Sequence, residues 1–209
     1  LAYGMGDLNP HFFNIPPFVS YLLFICYGIF CVAGWAAGTF HSVRDLELLF
    51  YYDPSSFYLI ARVVFGVILG TASVYAVYRL VKRLADHSTA LWSAFFLAVN
   101  FLHVRDSHYI YVDIPLVLVL LLGLLVFCKI PEKPAVLRWH FFAGGMIGLA
   151  VAVKYNGVFL AVPYLWICFR SVSWKRWIPS WFLASLAAVS VFILLNPYAV
   201  LDHAFFLKE

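Results

Sequence analysis

The chain has 209 residues, 65% of them hydrophobic and 11% charged, a balance too apolar for an ordinary soluble domain and one that places it among integral membrane proteins. Its formal charge of +4 is too small to point to nucleic acid. The four cysteines, Cys26, Cys31, Cys128 and Cys168, stand in apolar runs without CxxC spacing or nearby histidine ligands, so they read as small buried hydrophobes.

Where the charge falls says more than its sum. Nine of the fourteen Lys and Arg lie in three short segments: Arg79, Lys82 and Arg83; Lys129, Lys133 and Arg138; Arg170, Lys175 and Arg176. By the positive-inside rule those three loops are cytoplasmic. Eight of the ten acids, all but Asp86 and Glu132, fall elsewhere. Aromatic residues make up 20% of the chain, which fits belts at two bilayer interfaces and a lipid-lined groove.

In chain order, residues 1–16 form a polar loop punctuated by Gly and Pro, and the chain opens inside it, as a fragment of a longer protein does. Residues 17–40 are apolar and long enough to span. A helix at 56–78 must end at the basic cluster Arg79–Arg83, which puts the acidic loop 41–54 outside. Were 17–40 also a span, residues 1–16 would lie inside. The alternative is a helix lying along the outer face with both ends outside, and charge counting alone barely separates the two.

A helix at 89–102 then rises, and another at 114–127 descends to the second basic loop. Both are shorter than the roughly 20 residues a bilayer requires. The polar stretch between them therefore sits below the outer interface. That stretch, His103-Val-Arg-Asp-Ser-His-Tyr-Ile-Tyr-Val-Asp113, packs two His, one Arg and two Asp beside hydrocarbon. Such charge is costly unless paired or facing a wet cavity, so it marks a functional site by default. Asp113 followed by Pro115 also has the form of an N-cap and first-turn proline, and the two roles can coexist.

Next comes an apolar run with Lys154 at its middle. As one helix it would strand an ammonium in the bilayer core. As a hairpin, 141–153 up and 157–169 down, it keeps Arg138 and Arg170 on one side and makes Lys-Tyr-Asn-Gly an outward turn. A last helix at 178–195 leads outside again. The reading is an all-α, multi-pass transmembrane module spanning 1–209, with a first external loop (1–55) that holds the helix at 17–40. Five polar sets then share one face: Asp7–Asn14, His41–Asp53, His103–Asp113, Lys154–Asn156 and Asn196–Asp202.

Four stretches carry a resemblance. Gly6-Asp-Leu-Asn-Pro-His-Phe-Phe13 ahead of Pro16-Pro17, His103-Val-Arg-Asp-Ser-His-Tyr109 leading to Val112-Asp-Ile-Pro115, Gly148-Leu-Ala-Val-Ala-Val-Lys-Tyr-Asn-Gly157, and Asn196-Pro-Tyr-Ala-Val-Leu-Asp202 resemble, in order, the protein O-mannosyltransferase-like glycosyltransferases of family 39. These form a branch of the C-type glycosyltransferase superfamily that also holds the lipid A aminoarabinose transferase. The resemblance implies an enzyme that moves a sugar from a polyprenyl phosphate to a hydroxyl of a lipid, glycan or protein acceptor, by inversion, on the outer face of a multi-pass protein in the plasma membrane, bacterial or archaeal. It also implies that 17–40 is a juxtamembrane helix.

By the family pattern Asp113 matches the acid at the start of the fourth spanning helix, near sugar and acceptor. Lys154 matches the lysine of the short-helix turn, with Tyr155 beside it. The family's leading acid, usually part of an Asp-Glu pair after the first spanning helix, would precede Leu1. Asn14-Ile15 stands where the family has a basic residue.

Such a transfer needs a base for the acceptor proton, cations for the departing phosphate and a groove for the lipid. Asp113 and Asp7 are the catalytic candidates. Lys154, Arg105, His108, His11, Tyr155 and Asn196 are the binding candidates, with Lys154 and Arg105 on phosphate. Simpler readings stand beside these: Lys154 as a snorkelling anchor, Arg105 as the partner of Asp106, the histidines as belt residues, Asp7 and His11 as solvated loop, and Arg62 as an outward snorkeller. There is no DxD, HExxH or Cys/His metal spacing, and no metal or cofactor is expected, although Asp106 and Asp113 could join a hard-cation site with an acid upstream. The rival from another class is a transporter or flippase, which should show inverted repeats; none is visible.

Overall fold

The computed structural model describes residue 3 and residues 6–208; the remaining opening residues of the predicted first loop, 1–2 and 4–5, lie outside the described part. Every regular element among the described residues is a helix, the form in which a segment satisfies its own backbone where water is absent. The outward faces are apolar: Phe96, Trp166, Phe169, Ile178 and Phe182 are all exposed. That surface suits lipid and not water.

Helix α1 (Phe18–Ala36) ends before the 40 expected from hydropathy. Gly38 turns into the left-handed region at φ 72°, and the Thr39 N–H closes on the Gly34 carbonyl at 2.8 Å, a glycine-made stop. Residues 41–54, read from sequence as a loop, fold as α2 (Val43–Tyr52), entered through a reciprocal capping box between Ser42 and Asp45.

Helix α3 (Ser55–Leu84) is 30 residues long, about 45 Å at 1.5 Å per residue. Its section Val63–Gly70 is wound as π-helix. Helix α4 (His87–Ala98) starts on an Asp86 cap, whose Oδ1 accepts the Thr89 N–H at 3.0 Å. The single helix expected at 89–102 is instead broken at Asn100, whose side chain caps a new helix, α5 (Phe101–His108). The Asn100 Oδ1 takes the His103 N–H at 3.1 Å, a bond only a short polar side chain can supply. Helix α5 runs antiparallel to α3: Ser107 backs onto Gly66 and His103 onto Gly70.

Helices α6 (Asp113–Phe127) and α7 (Leu137–Val153) follow. The chain then breaks at Lys154, which is extended at φ −156°, ψ 135°, and passes through a 3-10 turn, Tyr155–Leu160, into α8 (Ala161–Ser171). Tyr164 and Cys168 of α8 lie against His140 near the start of α7, so the chain reverses direction at Lys154. Gly157 makes the reversal possible, since any Cβ there would collide with the Ala150 carbonyl of α7. Helix α9 (Trp174–Leu195) packs closely along α7, Gly144 against the Ala184 backbone and Gly148 against that of Ala188. Small residues spaced by four allow backbones to meet where lipid supplies no hydrophobic drive. Two single-turn helices, α10 (Tyr198–Leu201) and α11 (His203–Phe206), complete the chain.

By length and composition α1, α3 and α9 could each cross a membrane. The contacts of α1 distinguish it from the other two. The N–H of Phe18, in its first turn, meets Asn196 just past the end of α9. Tyr27 and Phe30, two and three turns on, stack edge-on against Phe57 in the first turn of α3. Helix α9 ends and α3 begins at the same end of the bundle, so α1 crosses that end from one to the other.

Candidate functional site

The same end gathers the polar groups. Helix α6 opens on Asp113, and its side chain does not cap the helix. Its Oδ1 instead accepts a hydrogen bond from Nζ of Lys154 at 2.8 Å, across 41 residues of chain. The carboxylate also sits at the positive end of the α6 dipole, where an anion is favoured. The Lys154 ammonium lies 5.7 Å from the centre of the Tyr111 ring, a cation–π contact. The two side chains are 31% and 33% exposed, open enough to meet a ligand and enclosed enough for their charges to matter.

Depth follows from helix length. Helix α6 has 15 residues and α7 has 17, about 22 Å and 25 Å. Hydrocarbon is roughly 30 Å thick. With their opposite ends at one interface, α6 and α7 leave the Asp113–Lys154 pair several ångströms short of the other, beneath α1.

Two loops are tied to this recess. The Tyr155 hydroxyl donates to the carbonyl of Phe13 at 2.6 Å. Phe13 itself is buried and packs edge-on against Phe206 and at a tilt to Phe205. Asn9 donates through Nδ2 to Asp202 at 2.8 Å. First loop, Lys154 turn and C-terminal segment thus meet around Phe13.

The remaining sequence candidates are placed differently. Asn196 is 1% exposed, with its Oδ1 taking the Phe18 N–H and its Nδ2 given to the Phe192 carbonyl. That amide is committed to holding α1. Asp7 and His11 pair with each other at 2.9 Å on the exposed first loop. Asp7 also takes the Asn9 N–H at 3.0 Å. The His11 hydrogen bond, then this backbone one, hold the Asp7 carboxyl below the usual range.

The members of the sequence cluster 103–113 take separate partners. His103 is buried and, because a carbonyl can only accept, donates Nε2–H to Gly70 O at 3.3 Å. Arg105 closes on Asp106 at 2.8 Å, the local pair that sequence already allowed. His108 gives Nδ1–H to Val104 O at 2.8 Å and is exposed. Of its charged members, Asp113 is the one bonded to Lys154. Arg105 lies within electrostatic reach of Asp113.

One residue set aside by the sequence reading gains a setting. Arg62, two turns into α3, lines a groove of about 410 Å³ with Ser55, Ser56, Tyr58 and Leu59. The groove opens beside the first turn of α3, at the end of the bundle that α1 crosses. Among the described residues no cluster of three His, Cys, Asp or Glu stands ready to hold a metal; Asp106 and Asp113 are each taken by a cation.

A bundle of apolar helices, three of them long enough to cross a membrane and others shorter than hydrocarbon is thick, with an acid–lysine pair at one end, has the form of a helical integral membrane protein. The sequence profile of dolichyl-phosphate-mannose-protein mannosyltransferases matches residues 56–200, well over half of the chain. The chain belongs to that family, and its class is membrane glycosyltransferase using a polyprenyl-phosphate-linked sugar. No curated protein and no solved structure matches it.

Proposed function

We propose that the Asp113–Lys154 recess is where a polyprenyl-phosphate sugar gives up its sugar to a hydroxyl of a lipid, glycan or protein acceptor, on the external face of the plasma membrane. The observation that carries this is the 2.8 Å pair itself, which joins the carboxylate at the start of α6 to the ammonium just past the end of α7.

Transfer breaks the bond between the anomeric carbon and a phosphate oxygen as the acceptor hydroxyl oxygen bonds that carbon and yields its proton to a carboxylate base, and negative charge grows on the phosphate. A lysine has three donor protons. One can stay on Asp113 while the others reach the phosphate, so the resting pair holds the ammonium ready without consuming it. Asp113 orients that ammonium and the sugar or acceptor hydroxyl. Tyr155 fixes the turn that presents Lys154 by bonding Phe13, and Asn196 fixes α1 above it. Arg62, in its groove, offers a second cation to the lipid-linked phosphate. On this reading α1 is the juxtamembrane helix, supported by its contacts with Asn196 and Phe57. Asp7, exposed and ionised, is available to an acceptor from the first loop.

The test uses the full-length chain in membranes supplied with radiolabelled polyprenyl-phosphate sugars, comparing wild type with Asp113→Asn and Lys154→Ala. Transfer that falls at least tenfold in both variants supports the assignment. Equal transfer in all three removes it.

A further inference from the structure

The opposite end of α3 carries a second groove, of about 480 Å³, lined by Tyr75, Tyr78, Arg79, Lys82 and Arg83 with Leu125 of α6. From Ser55 to Tyr75 is twenty residues of helix, about 30 Å at the usual rise, one hydrocarbon thickness. With the start of α3 at one interface, Tyr75 marks the other. The three cations therefore stand at the level of the lipid headgroups.

They are held in place. Arg79 donates to the Tyr75 hydroxyl at 2.9 Å and lies 5.7 Å from the centre of that ring. Lys82 lies 5.5 Å from the Tyr78 ring centre. The Tyr78 hydroxyl in turn contacts Nδ1 of His87 at 3.2 Å, which fixes the ring from α4.

Charge at this rim is not balanced. Glu132 is taken by Arg83 and, at 3.5 Å, by Lys129. Among the described residues neither Arg79 nor Lys82 has a carboxylate partner. The other basic clusters differ: Arg138 lies over the Trp139 ring, and Lys175 and Arg176 stand exposed at the start of α9.

We infer that this groove is a binding site for the phosphodiester headgroup of an anionic phospholipid, with Arg79 and Lys82 on the phosphate oxygens and Leu125 and the Tyr75 ring against the glycerol and first acyl carbons. A guanidinium fork and an ammonium side by side match a phosphodiester's oxygens. Basic pockets between membrane helices at headgroup level take anionic lipids for this reason. The site lies at the far end of the helices from the Asp113–Lys154 recess and does not depend on the reading of that recess.

The experiment uses the full-length protein in mixed micelles, titrated with short-chain phosphatidylglycerol or phosphatidylcholine, with bound lipid counted by native mass spectrometry. Each cation near the charged surface is worth about a fivefold preference. Wild type should retain phosphatidylglycerol over phosphatidylcholine by roughly 25-fold from the two unpaired cations. Arg79→Gln with Lys82→Gln should bring the preference close to one, while Lys175→Gln with Arg176→Gln should leave it unchanged. Equal loss in both double variants, or loss in neither, overturns the site. Inorganic phosphate at millimolar concentration should not displace the lipid; displacement would assign the groove to a soluble phosphate and overturn the lipid reading.

Discussion

Asn196 joins two helices through one amide: its Oδ1 accepts the Phe18 N–H at 3.2 Å while its Nδ2 donates to the Phe192 carbonyl at 3.1 Å. The first bond satisfies one of the backbone donors that the start of α1 leaves open, and the second anchors the side chain to the last turn of α9. A neutral hydrogen bond in such a place is worth about 1 kcal/mol, and an abandoned buried partner costs about 1–3 kcal/mol. Asn196→Leu should therefore free the start of α1 without unfolding the bundle. Hydrogen exchange should accelerate in the first turns of α1, while α7 and α9 keep their protection.

The Lys154–Asp113 pair predicts a separation of stability from chemistry. Each single change, Asp113→Ala or Lys154→Ala, leaves its partner unpaired in a partly enclosed site. The double change removes both charges, and contacting residues of this kind couple by about 0.5–3 kcal/mol. The double variant should thus melt higher than the two single losses would sum to. Transfer from a polyprenyl-phosphate donor should remain lost in all three. Recovery of transfer in the double variant would make the pair a structural tie only. Thermal unfolding in detergent and the radiolabel assay read the two quantities independently.

The turn at Lys154 was legible because a charge at the centre of an apolar run leaves few arrangements, and the basic loops fixed which way the helices had to run. Helix α2 was missed although Ser42-x-x-Asp45 spells a capping box, because the acids of that stretch resemble a solvated loop. The break before α5 rests on a local Asn100 cap that sits inside an apolar run. The π-wound section of α3 was beyond reach, since it lies where Ser107 and His103 back onto Gly66 and Gly70, residues more than thirty positions apart. The same holds for His140. It is fully buried, gives Nε2–H to the Pro134 carbonyl at 3.2 Å, and meets the Tyr164 hydroxyl through Nδ1 at 3.0 Å. Nothing in the sequence links those positions.

His140 yields its own prediction. Its removal leaves the Pro134 carbonyl without that donor, while the Tyr164 hydroxyl keeps a 3.2 Å bond to Ser180 O. His140→Phe should cost about 0.5–1.5 kcal/mol, since the half-buried Pro134 carbonyl loses its donor. His140→Gln can still donate an amide N–H and should recover part of the loss. A ranking of wild type, then Gln, then Phe in thermal unfolding checks the assignment of Nε2 as the donor.

The seam between α7 and α9 gives a steric prediction. A Cβ at Gly144 or Gly148 would fall onto the backbone of Ala184 or Ala188, and backbone cannot rotate aside as a side chain can. Overpacking of this kind costs about 1–3 kcal/mol. Gly145, between them, has only a Val191 methyl at 3.9 Å from its would-be Cβ. Gly145→Ala should be tolerated, whereas Gly144→Ala and Gly148→Ala should each lower the melting temperature and Gly144→Val should prevent assembly of the bundle. Equal effects at all three positions would show that the helices do not meet along this face.

Acid dependence separates Asp7 from a group that must be tuned to work. The His11 contact first, then the Asn9 N–H, hold its carboxyl below the ordinary value, which is about 3.9. A depressed folded pKa means that the contribution of Asp7 to the order of its loop is present above about pH 3.9 and is lost as pH falls through the lower folded value. Across the range from roughly pH 5 to 8, where such proteins are most stable, Asp7 stays ionised. If it takes part in transfer it does so as a carboxylate throughout, so the effect of Asp7→Asn on the rate should be flat over that range. Carbon NMR of the Asp7 carboxyl should show its titration below that of a loop aspartate, and His11→Ala should move it back upward. A Asp7→Asn defect that appears only above pH 6 would require a raised carboxyl, the reverse of what its two hydrogen bonds impose.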